Sequence, residues 1–249
     1  MSKTRQHPHG PTRRTLAHGE RVDWHHHRAN QLICPGRGVL RVSTPEGTWV
    51  VPPHRAVWLP AGIAHSHQAY GPAELRCLGF AEQVNPLGLE QPAVLAVTPL
   101  LRELIAVLTG PQAPTGEQLH ALERVALDQL RQAPALAMLL PTPTDPRLRD
   151  VTALLVADPA DPRSLARLGS AVGASERTLS RLFRSETGMS FPQWRTQLRL
   201  QHALTLLAAD RSVTAVAAAT GYSSPSAFIE AFRLAFGTTP GRYRREGDG

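Results

Sequence analysis

The stretch GYSSPSAFIEAFRLAFGTTPGRYR, residues 221–244, contains a glycine turn followed by an amphipathic helix. Gly221 provides the turn, Ser223 or Ser224 can cap the start of the helix, and Gly237 can end it in the left-handed conformation that glycine tolerates. Residues 212–220, just before the stretch, form a short apolar segment that suits a preceding helix. The sequence therefore predicts a helix-turn-helix unit over residues 212–243.

The same pattern occurs earlier in the chain, as SLARLGSAVGASERTLSRLFRSETGMSFPQW over residues 164–194, with Ser175 as the helix cap. Gly173 and Gly221 lie 48 residues apart, whereas Phe183 and Phe232 lie 49 apart, so the second copy has one additional residue in its turn. A single helix, turn and helix is common in α-helical proteins. Two copies in register predict two helix-turn-helix units in one helical domain.

Each second helix has an apolar face for the core and an outward face for a partner. A helix fits the major groove of B-form DNA, where arginine can donate two hydrogen bonds to guanine. The outward residues of the first unit, candidates for DNA contact, are Arg177, Ser180, Arg181 and Arg184. The corresponding candidates of the second unit are Ser224, Pro225, Ser226, Ile229, Glu230 and Arg233. The residues expected to face the core are Leu179, Leu182 and Phe183 in the first unit and Ala227, Phe228, Ala231 and Phe232 in the second.

Between the two copies, FPQWRTQLRLQHALTLLAAD, residues 191–210, reads as one long amphipathic helix. Such a helix could hold two recognition helices at a fixed separation, so that they reach major-groove segments about 34 Å apart. Arg195 and Arg199 on this helix are expected to pack within the domain or to contact phosphates.

Residues 145–245 resemble the DNA-binding domain of AraC/XylS-type transcriptional regulators, most closely in SERTLSRLFRSETGMSFPQWR and in the stretch 221–244. The resemblance implies a monomeric module of seven helices with two helix-turn-helix units. It also implies that bases are read from the positions of Arg177, Ser180 and Arg181 in the first unit and of Pro225, Ser226, Ile229 and Glu230 in the second. Proline, isoleucine and an acidic residue offer few base hydrogen bonds, so the second unit is expected mostly to position the protein on phosphates.

The first half of the chain predicts strands and then two helices. Short β-branched and aromatic runs, with a hairpin loop at residues 45–47, suit a small antiparallel barrel or sandwich. Thr98 and Pro99 start one helix, and residues 115–118 read as the capping box of another, whose apolar stripe is Leu119, Leu122, Ala126 and Leu130. The two helices could cover the barrel or form a subunit interface, and an exposed stripe predicts a homodimer.

Three prolines in PTPTDP, residues 141–146, mark the best domain boundary. The predicted fold is α+β with two domains, namely an N-terminal cupin-like β-barrel with a helical hairpin and a C-terminal all-α domain. The predicted limits are residues 1–84 for an effector-binding barrel, 85–140 for a helical linker and dimerisation region, and 145–245 for the DNA-binding domain.

The segment DWHHHRANQLICPGRG, residues 23–38, resembles the first cupin motif in the spacing of Gly19, His25, His27, Gln31 and Gly38. Residues 60–65, PAGIAH, keep part of the second motif but lack its leading glycine and closing asparagine. The resemblance implies that His25, His27, Gln31 and His65 converge inside the barrel, with Gln31 where a carboxylate is usual. These residues could hold Zn²⁺, Ni²⁺ or Fe²⁺, or line an effector pocket without an ion, and His26 should point outward.

A net charge of +7 and a pI near 10.6 favour a polyanionic partner. Cys34 and Cys77, both placed in strands, are too few for a disulfide framework, and the N-terminus lacks the apolar core of a signal peptide. We therefore expect a cytoplasmic protein that does not bind membranes.

The sequence favours a non-enzymatic transcriptional regulator that binds promoter DNA sequence-specifically and responds to a small-molecule effector. Within its group it most resembles regulators that control an adjacent efflux transporter. One alternative is a metal-dependent cupin enzyme, dioxygenase-like, with an accessory helical domain. A second is a non-specific nucleic-acid binder, which the arginine content allows.

Overall fold

The computed structural model describes residues 3–4, 11–136 and 138–246. The chain divides into two compact units, which we call the sheet unit (residues 1–45 and 49–139) and the helical unit (residues 46–48 and 140–249). Most of the N-terminal segment, where the sequence lacks a signal-peptide core and where the predicted barrel domain begins, lies outside the described residues. No helix in the described ranges combines the length and the apolar character needed to cross a bilayer.

The strands form one mixed sheet, in which nearly all pairings are antiparallel. In chain order they are β1 (Lys3–Thr4), β2 (Thr12–Leu16), β3 (Arg21–His26), β4 (Ala29–Thr44), β5 (Gly47–Val51), β6 (Arg55–Leu59), β7 (His65–Ala81), β8 (Ala93–Ala96), β9 (Ala135–Leu136) and β10 (Leu140–Pro141). The pairing order is β1-β3-β7-β4-β6-β8-β9, with β2 on β7, β5 on β4 and β10 on β5. Among the described strands this path is open at both ends, so the sheet agrees with the prediction whereas a closed barrel is not observed.

The long strands β4 and β7 are the centre of the sheet, paired from Ala29 and Ala81 to Ser43 and Ser66. Because side chains alternate along a strand, β4 supplies two different cores. Ile33, Leu40 and Val42 belong to one apolar cluster, which also contains the buried Trp49 and Val57. The residues of the opposite face that enter the second cluster include Leu32, Cys34, Ala56, Trp58 and Leu78. The placement of both cysteines in strands is thus confirmed, and both are free thiols.

The second cluster is covered by two helices, α1 (Pro99–Leu108) and α2 (Gly116–Arg131). The predicted start of α1 is confirmed, because the Thr98 side chain accepts a hydrogen bond from the Leu101 amide. The predicted capping box of α2 is wrong, because Thr115 makes no side-chain cap hydrogen bond. Gly116, the first helical residue, has a φ of 58°, so the chain does not enter α2 along the path that a capping box requires.

The apolar stripe of α2 packs inside the sheet unit. Ala126 and Leu130 are completely buried, and Leu119 and Leu122 pack half-buried against the same cluster. The expectation that this stripe is an exposed dimer interface is therefore wrong, since burying the other face of the sheet already uses it. Residues 85–140 also contain β8 and β9, which join the sheet, so this region is more than a helical linker.

The helical unit contains seven helices within the described residues, the number that the family resemblance implies. They are α3 (Pro146–Ala157), α4 (Leu165–Ala171), α5 (Glu176–Thr187), α6 (Phe191–Ala208), α7 (Val213–Ala219), α8 (Pro225–Phe236) and α9 (Pro240–Glu246). The pairs α4–α5 and α7–α8 are the two helix-turn-helix units, and α6 is the long helix between them. Phe183 contacts Trp194 across the core of the first unit, with ring centroids 5.6 Å apart.

Candidate nucleic-acid interface and histidine cluster

Helix α5 presents three arginines to solvent. Its ends are fixed by the Ser175 hydroxyl, which accepts a hydrogen bond from the Thr178 amide, and by Gly188 at a φ of 70°. The inward face is confirmed, because its residues Leu179, Leu182 and Phe183 are buried. The outward face consists of three exposed arginines and one half-buried serine, namely Arg177, Arg181, Arg184 and Ser180. None of these arginines forms an ion pair with a described residue, so their guanidinium donors face solvent uncompensated.

Helix α8 has the same frame but different surface chemistry. Ser224 accepts a hydrogen bond from the Ala227 amide, so Ser224 and not Ser223 is the cap. Phe228 and Phe232 are completely buried, as predicted. Ala227 is exposed, contrary to the prediction, because it lies in the first helical turn at the edge of the aromatic stripe.

The candidate contact residues of α8 offer fewer free hydrogen-bond donors for DNA than those of α5. Pro225 and Ser226 are exposed, and Ile229 is half-buried. Glu230 and Arg233 form an ion pair with each other at 2.9 Å, and both side chains are more than half exposed. The second unit therefore offers an arginine that already has an intrahelical partner.

The arginines of α6 pack within the helical unit. Arg195 lies 4.2 Å from the centre of the Phe191 ring and donates to the carbonyl oxygen of Arg163. Arg199 donates from Nε to the carbonyl oxygen of Pro159 at 2.9 Å. Both side chains are half-buried, so of the two roles expected for them the geometry favours packing, with both holding the loop between α3 and α4.

One contact in this unit has no signal in the sequence. The Glu186 carboxylate, near the end of α5, accepts hydrogen bonds from the Thr144 amide at 2.7 Å and the Asp145 amide at 3.2 Å. Asp145 in turn caps α3, and the Arg147 guanidinium lowers the pKa of that carboxyl to about 2. The segment that precedes α3 is thereby tied to helix α5.

In the sheet unit, buried histidines meet on one face. The candidate ligand atoms of His25, His27 and His65 all lie within 4.8 Å of one another. In a tetrahedral zinc site with Zn–N bonds of about 2.1 Å, two imidazole nitrogens lie about 3.4 Å apart. The predicted convergence of the three histidines is thus observed, and side-chain rotations that bring the nitrogens closer by about 1 Å would give coordination distances.

The protonation of the cluster suits metal binding. Nδ1 of His25 donates to the Asp23 carbonyl oxygen at 2.6 Å, and Nδ1 of His65 donates to the Ile63 carbonyl oxygen at 2.8 Å. In a neutral imidazole a proton on Nδ1 leaves Nε2 free, and Nε2 is then the nitrogen that can bind a metal. Burial lowers the pKa of His65 to about 3, and its Nε2 is buried without a hydrogen-bond partner among the described residues. An orphaned acceptor of this kind fits a site for a cation.

Two further buried side chains are relevant to the cluster. The fourth predicted residue, Gln31, is buried in β4 and makes no side-chain hydrogen bond with a described residue. His67 is also buried beside the cluster, with its ring centroid 5.0 Å from that of His65 and 5.6 Å from that of His25. His67 lies outside the motif spacing that identifies the other histidines, but because it is two residues from His65 along β7, strand alternation places it on the same face. His26 is half-buried between its two buried neighbours.

Comparison with known proteins gives matches that agree with this organisation. The helix-turn-helix domain family matches residues 168–246. The HTH-type transcriptional regulator NimR of Escherichia coli (strain K12) is 38% identical over 226 residues, which cover 88% of this chain and 81% of NimR. The HTH-type transcriptional regulator RipA of Corynebacterium glutamicum is 40% identical over 103 residues, or 41% of this chain and 31% of RipA.

A solved transcriptional regulator with an AraC-type DNA-binding domain from Chromobacterium violaceum is 31% identical, with a TM-score of 0.39. That match covers 41% of this chain and 92% of the solved one. The NimR match, in contrast, is long enough to include residues of both units.

Proposed function

This chain belongs to the AraC family of HTH-type transcriptional regulators, and we propose on that basis that it binds promoter DNA sequence-specifically through both helix-turn-helix units. The observation that carries the proposal is the outward face of α5. Three exposed arginines there have no ion-pair partner among the described residues, and arginine is the side chain that most often reads guanine in the major groove.

Footprinting tests this proposal directly. A fragment containing the promoter regions around the gene should show a discrete protected site, which persists when competing non-specific DNA is added. A non-specific binder would instead protect the fragment uniformly, and its retention would fall steeply with salt at every position. Uniform protection would contradict the proposal.

The histidine cluster is the proposed sensory site of the sheet unit. His25, His27 and His65 would hold a divalent ion, Zn²⁺, Ni²⁺ or Fe²⁺, and His67 lies close enough to complete the set. A bound ion would supply a Lewis acid that attracts an oxygen or nitrogen atom of an effector. An effector changes DNA binding only as far as it binds one DNA-binding state better than the other.

We expect purified wild-type protein to contain about one divalent ion per chain after mild purification or reloading. The double substitution His27→Ala, His65→Ala should remove it, because two of three imidazole ligands are lost. Elemental analysis checks this, with the exposed His120→Ala as the matched control. Wild-type protein that stays free of metal after reloading would contradict the metal site.

The enzymatic alternative is less well supported. A cupin dioxygenase needs metal ligands with open positions, which the cluster could provide, but the group of ligand atoms found among the described residues contains no carboxylate. The second helix-turn-helix unit has no role in such a reaction. Sequence-specific DNA binding accounts for both units.

We also propose that the protein forms a homodimer, is cytoplasmic and controls an adjacent efflux transporter. A homodimer stays proposed, but its interface cannot be the buried stripe of α2, and sedimentation at micromolar concentration measures the mass. A promoter target requires a cytoplasmic location. Control of an adjacent efflux transporter rests on resemblance alone, and transcript levels of the neighbouring genes in a deletion strain test it.

A further inference from the structure

A polar cavity lies on the sheet unit where strands β3, β7 and β4 run side by side. Its volume is about 280 Å³, just below the range of roughly 300–1,000 Å³ that is typical of small-molecule sites. The residues that line it are Arg21, Val22, Asp23, Trp24, Arg41, Ser43, Ser66, His67 and Gln68. Most of these side chains are polar, so the cavity suits a polar ligand.

The strand register places hydrogen-bond donors in a row across the cavity. Gln68 pairs with Arg21 on one side and with Arg41 on the other. Since neighbouring strands are about 4.8 Å apart, the two arginines start about 10 Å apart and flank one amide. Ser66 and Ser43 form the pair two residues further along β7 and β4, and therefore lie on the same face as Gln68 and Arg41.

The charge in this row is poorly compensated. The Arg41 guanidinium lies 5.2 Å from the centroid of the Tyr70 ring, and no ion pair joins Arg41 to a described residue. Its Nε is buried and has no hydrogen-bond partner in the part of the chain that the structure describes. A buried donor that lacks an acceptor is costly, and an anion in the cavity would supply one.

Trp24 lines the same cavity and adds an exposed aromatic ring to it. The β3–β7 register shifts between Val22 and His25, and this irregularity brings Asp23 and Trp24 to the surface in succession. Trp24 is 46% exposed, whereas the chain's other three tryptophans, Trp49, Trp58 and Trp194, are at most 2% exposed. An exposed indole beside a cationic donor is an arrangement that can stack a flat ring.

We propose that this cavity binds a small anion with a flat, ring-bearing part, which stacks on Trp24 while its charged group bonds to Arg41. The lining contains two arginines and one carboxylate, Asp23, so a singly charged group such as a carboxylate matches it best. His67 borders both this cavity and the histidine cluster, but His25, His27 and His65 do not line the cavity, and the proposed ligand requires no metal. Its test measures ligand binding without DNA, so its failure leaves the proposed DNA binding untouched.

Trp24 makes the proposal testable in the full-length protein. Benzoate, phenyl phosphate and neutral benzamide are titrated at constant ionic strength while tryptophan emission is recorded. Benzoate should quench the emission saturably in the millimolar range or below, and benzamide should not. Quenching by phenyl phosphate in place of benzoate would assign the site to phosphate esters and would also support an anion site.

Two substitutions locate the signal. Arg41→Gln should weaken benzoate binding about tenfold, which corresponds to about 1.4 kcal/mol. Arg37→Gln, on the same strand but outside the cavity, is the matched control and should change nothing. Trp24→Phe should remove the fluorescence signal while calorimetry still detects the ligand. Absence of saturable quenching by either anion, equal quenching by benzamide, or equal losses in Arg41→Gln and Arg37→Gln would overturn the proposal.

Discussion

Replacing Gly221 with alanine is expected to lower the free energy of unfolding of the helical unit by about 2–5 kcal/mol. Gly221 has a φ of 71°, where an L side chain costs energy. A Cβ there would also lie 2.9 Å from the Ala160 Cα and 2.7 Å from an Arg199 side-chain nitrogen. The first of these atoms belongs to the backbone, so the clash can be relieved only by moving the loop that Arg199 holds.

Gly173 is the matched control, because it occupies the corresponding turn of the first unit. Its φ is 67°, but a Cβ at this position would have nothing within 4 Å. Gly173→Ala should therefore cost only the backbone penalty of about 1–2 kcal/mol. Urea unfolding followed by far-ultraviolet circular dichroism measures the free energy of unfolding of both variants. If both lost the same amount of stability, the close approach at Gly221 would not contribute to its cost.

Replacing Arg181 with alanine is expected to remove discrimination at one base pair of the operator, worth about 1–3 kcal/mol. Arg181 and Arg177 lie one turn apart on the exposed face of α5, so both can enter one groove. A lost base contact should change which sequence is preferred. A lost phosphate contact would weaken all sequences alike and reduce the salt dependence.

Arg195→Ala is the comparison for Arg181→Ala. Because Arg195 packs on Phe191 and bonds to the Arg163 carbonyl, its loss should lower stability and affinity without altering base preference. Both variants are titrated against operators with single base-pair changes at several salt concentrations. If Arg181→Ala weakened every operator equally while Arg195→Ala changed the preferred base, α5 would not be the reading helix.

The helical unit could be predicted from the sequence because its determinants are local. Ser175, Ser224, Gly188 and Gly237 end helices through hydrogen bonds and backbone conformations within a few residues, and the aromatic stripes follow the helical period. The hydrogen bonds that Glu186 accepts could not be predicted from local patterns, because their donor amides lie more than forty residues away in the sequence.

The sheet unit was harder to predict because its contacts are long-range. The stripe of α2 fits a dimer interface and an internal cover equally well, and only the packing of α1 and α2 on the sheet decides between them. Strand spacing in the sequence likewise does not determine whether a sheet closes. The motif spacing identifies His25, His27 and His65. His67 falls outside the motif, and only the alternation of side chains along β7 places it on the same face as His65.

The unequal outward faces of α5 and α8 have a consequence for the architecture of the operator. On α5 three arginines have no ion-pair partner among the described residues, whereas on α8 Arg233 pairs with Glu230. If both helices read DNA as proposed, we expect the two half-sites to be read unequally, with more base discrimination under α5, so that each bound module has a polarity along the DNA. Inverting the operator relative to the transcription start would reverse the orientation of the bound protein. We therefore expect the level of transcription to depend on the orientation of the operator.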